Sequence, residues 1–133
     1  MNRSCTVDLS PDRTAPAFAR ALVRGLLEQW GVADEAAVDA ACVVVTELVV
    51  NAVEHAATGD AVTVAVEDDG VLRLWVADGA AAVPEQRPPS SDLDDGGRGL
   101  ALVDALAARW GVEAWHGGKR VVVELAWDRE PAS

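Results

Sequence analysis

Apolar residues recur along this chain with two periods, and the switches between them lay out its elements. From Ser4 to Leu9 the alternation places Cys5, Val7 and Leu9 on one side, the mark of a short strand. Phe18, Leu22, Leu26 and Trp30 follow at helical spacing, behind Thr14 as a cap and Pro16 in the first turn. Arg24 faces elsewhere, and Gly31 is a natural stop. Asp34 caps a second helix that runs to about Ala57 and ends near Thr58 and Gly59. Val62, Val64 and Val66 then alternate, Asp69 and Gly70 supply a tight turn, and Leu72, Leu74 and Val76 alternate on the return, which predicts a hairpin.

No period survives from Ala80 to Gly96, where Pro84, Pro88, Pro89, Ser90, Ser91, Asp94 and Asp95 cluster. A loop this long in a compact domain moves, binds, or does both. A third helix opens at Gly97 to Gly99, turns Leu100, Val103, Leu106 and Ala107 inward, and is expected to end on Arg109-Trp110-Gly111. Val112 to His116 and Arg120 to Trp127 read as two closing strands joined by Gly117-Gly118, with a loose tail over about 128–133. The order predicts one domain over residues 1–133, of class α+β. It is a two-layer sandwich in which a mostly antiparallel mixed sheet of about five strands carries three helices on one face.

Composition narrows the partners. With 22 acidic against 11 basic side chains the net charge is −11, a field that repels phosphate backbones, so no direct nucleic-acid binding is expected. A basic protein partner suits that charge; an acidic surface kept for solubility explains it equally well. One Phe and no Tyr leave Val, Leu, Ala and five Trp to fill the interior. Cys5 and Cys42 lack metal-ligand spacing, and Cys42, in a run of Ala and Val, reads as a buried small hydrophobe. Met1 to Ser10 has no apolar leader region, and no apolar stretch approaches a membrane span. The expectation is a cytoplasmic protein without a membrane partner.

The chemistry concentrates in the second helix, which is apolar nearly all round and therefore expected to be buried. Glu47, Asn51 and His55 interrupt it at steps of four and form a stripe along one side. Burying a carboxylate or an amide without partners costs about 1–3 kcal/mol or more each, so something must compensate that stripe. An amide oxygen at Asn51 suits Mg²⁺, a hard cation that keeps several waters and takes few protein ligands. A carboxylate one turn earlier, at Glu47, orients or deprotonates a water or hydroxyl beside bound phosphates. Contact with solvent or a neighbouring loop would also account for the stripe, and His55 reads either as part of such a site or as a helix-end surface residue. Asp78 stands where a strand ends and the long loop begins. A carboxylate only accepts hydrogen bonds, so it favours the exocyclic amine of adenine over the carbonyl of guanine; a plain turn residue is the alternative. Gly96-Gly97-Arg98-Gly99-Leu100 opens a helix, where glycines and unpaired N–H groups attract phosphate. The same residues also suit a simple loop-to-helix junction, and Arg98 either touches phosphate or faces solvent.

In this order the pieces resemble the GHKL ATPase superfamily, the Bergerat fold of histidine-kinase catalytic domains and DNA gyrase. They are most like its small bacterial branch, the anti-sigma-factor serine kinases. Glu47-Leu48-Val49-Val50-Asn51-Ala52-Val53-Glu54-His55-Ala56 is similar to the N box of that branch. Asp78 stands at the G1 box aspartate, Gly97-Arg98-Gly99-Leu100-Ala101-Leu102-Val103 resembles the G2 box, and Trp110-Gly111 with Gly118-Lys119 resembles the closing segment. The resemblance covers roughly Leu9 to Trp127. It implies ATP and Mg²⁺ as ligands, Glu47 as the base, Asn51 as the Mg²⁺ ligand with His55 nearby, and Asp78 on the adenine amine. Gly97, Arg98, Gly99 and Leu100 would line the triphosphate. It further implies a kinase that phosphorylates a serine on an anti-anti-sigma partner and sequesters a sigma factor, and a homodimer, as some members form. The G1 box departs from the family pattern: Ala80 and Ala82 stand two and four residues after Asp78 where glycines are expected, with Gly79 as a partial substitute. That departure keeps open a degenerate module that regulates a transcription factor by protein contact alone.

Overall fold

The computed structural model describes residues 2–55, 61–78 and 97–127. The expected helix end at Ala57 to Gly59, Gly79, the loop 80–96 with Ala80 and Ala82, and the tail 128–133 lie outside the described residues, as do the side chains of His55 and Arg98.

Eight elements follow in the order β1 (Arg3–Leu9), α1 (Ala15–Gln29), α2 (Glu35–His55), β2 (Val62–Asp68), β3 (Leu72–Asp78), α3 (Gly97–Leu106), β4 (Arg109–Trp115) and β5 (Gly118–Leu125). The strands form one five-stranded sheet in the order β1-β2-β3-β5-β4. Every described pairing is antiparallel, so the sheet is not mixed as expected. Because the chain leaves β3 for α3 and the outer strand β4 before returning through β5, the last strand slots in beside β3.

Period-two alternation puts Val62, Val64, Val66, Leu72, Leu74, Val76, Val123 and Leu125 on one face, where they join Ala41, Val44, Val45, Leu48, Val49 and Val103 in the main core. α2 thus lies between the sheet and α1, which explains why it is apolar on nearly every side. Its length and composition over Glu35–Glu54 suffice to cross a bilayer, contrary to the expectation that no stretch would, and half of that span is buried inside the molecule. Asp34 caps it as expected, its Oδ1 accepting the Ala37 N–H at 3.2 Å.

α1 corrects the expected stripe by one position. Ala15, Ala19, Val23 and Leu27 face the core, whereas Phe18 is 58% exposed. Two apolar rows run along this helix, and the one with small residues near its start allows the closer approach to α2, while Leu26 and Trp30 pack at the margin. Thr14 makes no side-chain cap: its hydroxyl donates to Asp12 Oδ1 at 2.6 Å instead. The helix stops at Gly31 (φ 81), with the Val32 N–H reaching the Leu27 carbonyl and the Gly31 N–H that of Glu28, a Schellman closure.

The closing segment also differs from expectation. α3 stops at Leu106, which is 38% exposed rather than inward, and only Val103 of its expected inward residues is fully buried. Ala108 already donates to the Glu124 carbonyl at 2.9 Å, so Arg109-Trp110-Gly111 begins β4 instead of ending the helix. Pairing of Trp115 with Gly118 leaves a two-residue turn, His116-Gly117, with φ of 46° and 82°. Both central residues are left-handed, as a type I′ hairpin turn requires, and Gly118 belongs to the strand.

The sheet face away from the helices closes on itself. Ala65, Trp75 and Ala77 cluster there with Trp115 and Val122. The Arg120 guanidinium lies 3.9 Å from the Trp115 ring centroid and 5.0 Å from that of Trp75, and donates to Glu113 Oε1 at 2.8 and 3.0 Å. A row of alternating charge, Glu67, Arg73, Glu124 and Arg109, crosses four strands with separations of 3.6, 3.4 and 4.0 Å.

Candidate functional site

Glu47 and Asn51 sit on successive turns of α2, both half-buried, flanked by the buried Leu48, Val49 and Ala52. The helix continues through His55. Its C-terminal end leads through residues 56–61 to Val62, and Val62 is the cross-strand partner of Asp78. The Asn51 end of α2 and the end of β3 therefore lie at the same end of the molecule. Gly97, Arg98 and Gly99 form the first turn of α3, which packs against α2, and Leu100 is half-buried behind them. That first turn presents backbone N–H groups without partners inside the helix, a setting suited to an anion.

The Asp78 side chain is only 2% exposed and points to the helix-bearing side of the sheet, in line with Leu72, Leu74 and Val76. Across from it on β5 stands Lys119, with Nζ 4.0 Å from Asp78 Oδ2. The sequence places Lys119 in the closing segment without giving it a role. Its only sequence signal is the doublet Gly118-Lys119, and its meeting with Asp78 depends on a register set by the His116-Gly117 turn.

Glu47 also borders a second feature, an open groove of about 290 Å³ between α1 and α2, lined by Arg20, Arg24, Asp39, Cys42, Val43, Thr46 and Glu47. Arg24 donates to Asp39 at 3.1 Å across it, and the Thr46 hydroxyl turns back to the Cys42 carbonyl at 2.7 Å. Burial pushes the Cys42 thiol above its ordinary range, so this thiol is a packed group rather than a nucleophile. The groove lies on the α1 side of Glu47, away from Asp78.

Among the described residues no three His, Cys, Asp or Glu side chains gather as a metal site. Asn51 offers a single neutral oxygen, a donor set that fits Mg²⁺ held chiefly by phosphates and water and would not hold a bare transition metal.

The family model for the histidine kinase-like ATPase domain matches residues 9–127. An uncharacterized protein of Streptomyces coelicolor, SCO4941, is 41% identical over 80 residues, which is 58% of this chain and 75% of that protein. The crystal structure of the RsbU and RsbW domains of Rv1364c from Mycobacterium tuberculosis superposes with a TM-score of 0.69 at 25% identity. That match covers 96% of this chain and 33% of the other, so the chain spans about a third of that structure.

Proposed function

Since the chain belongs to the histidine kinase-like ATPase domain family, we propose that it binds ATP with Mg²⁺ and works in the cytoplasm as a serine protein kinase of the anti-sigma-factor type. It phosphorylates a small anti-anti-sigma partner and sequesters a sigma factor. One observation carries this reading: two polar side chains, Glu47 and Asn51, are retained half-buried in an otherwise apolar helix at the end of the fold where Asp78 is buried. Likeness to a structure containing an RsbW domain supports the regulatory branch.

Each residue then has a task. Asp78 accepts the exocyclic amine of the base. Backbone N–H groups at Gly97 and Gly99, with Arg98 and Leu100 beside them, hold the phosphates. Asn51 would hold Mg²⁺, with His55 one turn beyond, and the cation when bound would supply neutralisation of the phosphate charge. Glu47 takes the proton of the serine hydroxyl as its oxygen bonds to the γ-phosphorus and the bond to the bridging oxygen breaks, releasing ADP.

Titration calorimetry with Mg-ATP tests the binding half: wild type binds, and Asn51→Ala or Asp78→Asn weakens binding by about tenfold or more, as expected for a lost charge-assisted contact. Incubation with labelled ATP and a candidate partner tests the transfer half, which should fall about a hundredfold or more in Glu47→Ala. Transfer that survives this change removes Glu47 from the base role. The second reading, a module that grips its regulator without turnover, draws on Ala80 and Ala82 in place of glycines. Partner binding without measurable affinity for Mg-ATP would select it.

A further inference from the structure

β4 is an outer strand of the sheet and pairs on one side only, with β5. Its other edge meets no strand among the described residues. The two-residue turn fixes which backbone groups that edge presents. Trp115 and Gly118 close the hairpin and exchange both of their hydrogen bonds, and every second pair along the ladder repeats this. Arg109, Gly111, Glu113 and Trp115 therefore bond to β5, whereas Trp110, Val112 and Ala114 turn their N–H and C=O outward. An edge of this kind is a template for another strand.

The side chains of β4 decide which strand fits. Arg109 and Glu113 stand on the face away from the helices, at equal distances either side of Gly111. Arg109 is 80% exposed, with its Nε 4.0 Å from Glu124 Oε1. Glu113 is 54% exposed and accepts from Arg120 through Oε1. Trp110 and Val112 flank Gly111 on the helix-bearing face, and Val112 is 49% exposed. Read outward from Gly111, a cation on one side is answered by an anion on the other, and an apolar residue by an apolar residue.

An antiparallel pairing with a second β4, centred on Gly111, sets Arg109 opposite the partner's Glu113 and Trp110 opposite the partner's Val112. By symmetry each contact is made twice. The backbone agrees with this register. Trp110 and Val112, whose polar groups face outward, meet one another, while Gly111, whose groups face β5, meets its own copy. The Arg–Glu places are then non-hydrogen-bonded ones, where facing side chains stand closest. β1, the other outer strand, lacks this symmetry: Arg3 and Asp8 fall on opposite faces and are engaged by Asp68 and Thr63.

We propose that two copies of this chain join edge to edge through β4, in a two-fold register centred on Gly111, so that their sheets become one. The proposal involves no nucleotide and stands apart from the kinase activity. One added pair of strands covers little surface, so the dimer is of the weak, concentration-dependent kind.

The test is sedimentation velocity of the full chain without nucleotide, from low to high micromolar concentration, with circular dichroism to confirm folding of each variant. Wild type should pass from monomer to dimer as concentration rises. Val112→Pro removes an outward N–H from each copy and no bond to β5, and should weaken association about tenfold or more. Arg109→Glu and Glu113→Arg each set like charges opposite one another and should also weaken it about tenfold or more. An equal mixture of those two variants puts an Arg before every Glu, and should restore the dimer to within about threefold of wild type. A packing defect would not be repaired in this way. Wild type that stays monomeric at the highest concentration overturns the proposal, as does a dimer that folded Val112→Pro leaves unchanged. If the proline variant does not fold, the charge variants decide: a dimer indifferent to either reversal, or not restored by mixing, overturns it.

Discussion

Arg3 Nη2 donates to Asp68 Oδ2 at 2.7 Å across the first two strands, and the carboxylate it meets is 2% exposed. The same guanidinium donates through Nη1 to the Trp30 carbonyl at 2.7 Å and lies 5.2 Å from the centre of the Trp30 ring. One side chain thus ties the edge strand, its neighbour and the end of α1 together. Removing it leaves a buried carboxylate without its cation. Arg3→Ala is expected to lower the free energy of unfolding by about 2–3 kcal/mol, less than a fully buried pair because Arg3 is partly open to solvent. Arg3→Lys keeps the charge but loses the fork, and should cost about 1 kcal/mol. Urea denaturation measures both, and equal losses for the two variants would remove the forked geometry as the cause.

His116 occupies a left-handed conformation, φ 46°, that a β-carbon disfavours, and its ring rests edge-on against Trp115 at 4.5 Å. Asn tolerates that conformation better, and Asn-Gly is the preferred pair for this turn. His116→Asn should therefore raise stability by about 0.5 kcal/mol, net of the ring contact it gives up. Gly117→Ala, at φ 82°, should lower it by about 1–2 kcal/mol. Thermal melts of the two variants should move in opposite directions.

Cys42 carries a pH signature. Burial raises the pKa of its thiol in the folded protein above the ordinary value of 9.0 that applies when the chain is unfolded. In the window between those two values the unfolded chain has released the proton and the folded one still holds it. Stability is therefore fully present below about pH 9 and falls as the pH rises through that window. Cys42→Ala should flatten this alkaline slope, measured as the urea midpoint against pH. At pH 8 a thiol reagent should modify the half-buried Cys5 well before Cys42.

Arg120 covers two indoles and is held in place by Glu113. Arg120→Lys cannot reproduce a planar stack with two hydrogen bonds, and about 1 kcal/mol of stability should go with it. Arg120→Ala also uncovers the rings, so tryptophan emission should shift to the red. Emission that stays unchanged would mean that Trp75 and Trp115 are shielded by something else.

The second helix, its Asp34 cap, the Asp69-Gly70 hairpin and the side-by-side placement of Glu47 and Asn51 were legible because each depends on residues close in sequence. The inward row of α1 was not. Phe18, Leu22, Leu26 and Trp30 carry more apolar surface than Ala15, Ala19, Val23 and Leu27, yet close helix packing selected the narrower row. The start of β4 was hidden for a related reason, since Arg109-Trp110-Gly111 has every local feature of a helix end and is overruled by the Ala108 bond to Glu124. At the candidate site, Asp78 was visible from its place after a strand. The lysine that faces it belongs to a strand forty residues downstream, and no local pattern announces a cross-strand register.

That late strand has a consequence for how the molecule comes into being. β5 is the final described element to be synthesised, yet it supplies the inner neighbour of β3 and one wall around Asp78. Until it leaves the ribosome, β3 carries a raw edge and Asp78 lacks the neighbour that Lys119 provides. A chain cut short before residue 118 would yield helices and a hairpin whose β3 edge stays unpaired, a template for association with another chain.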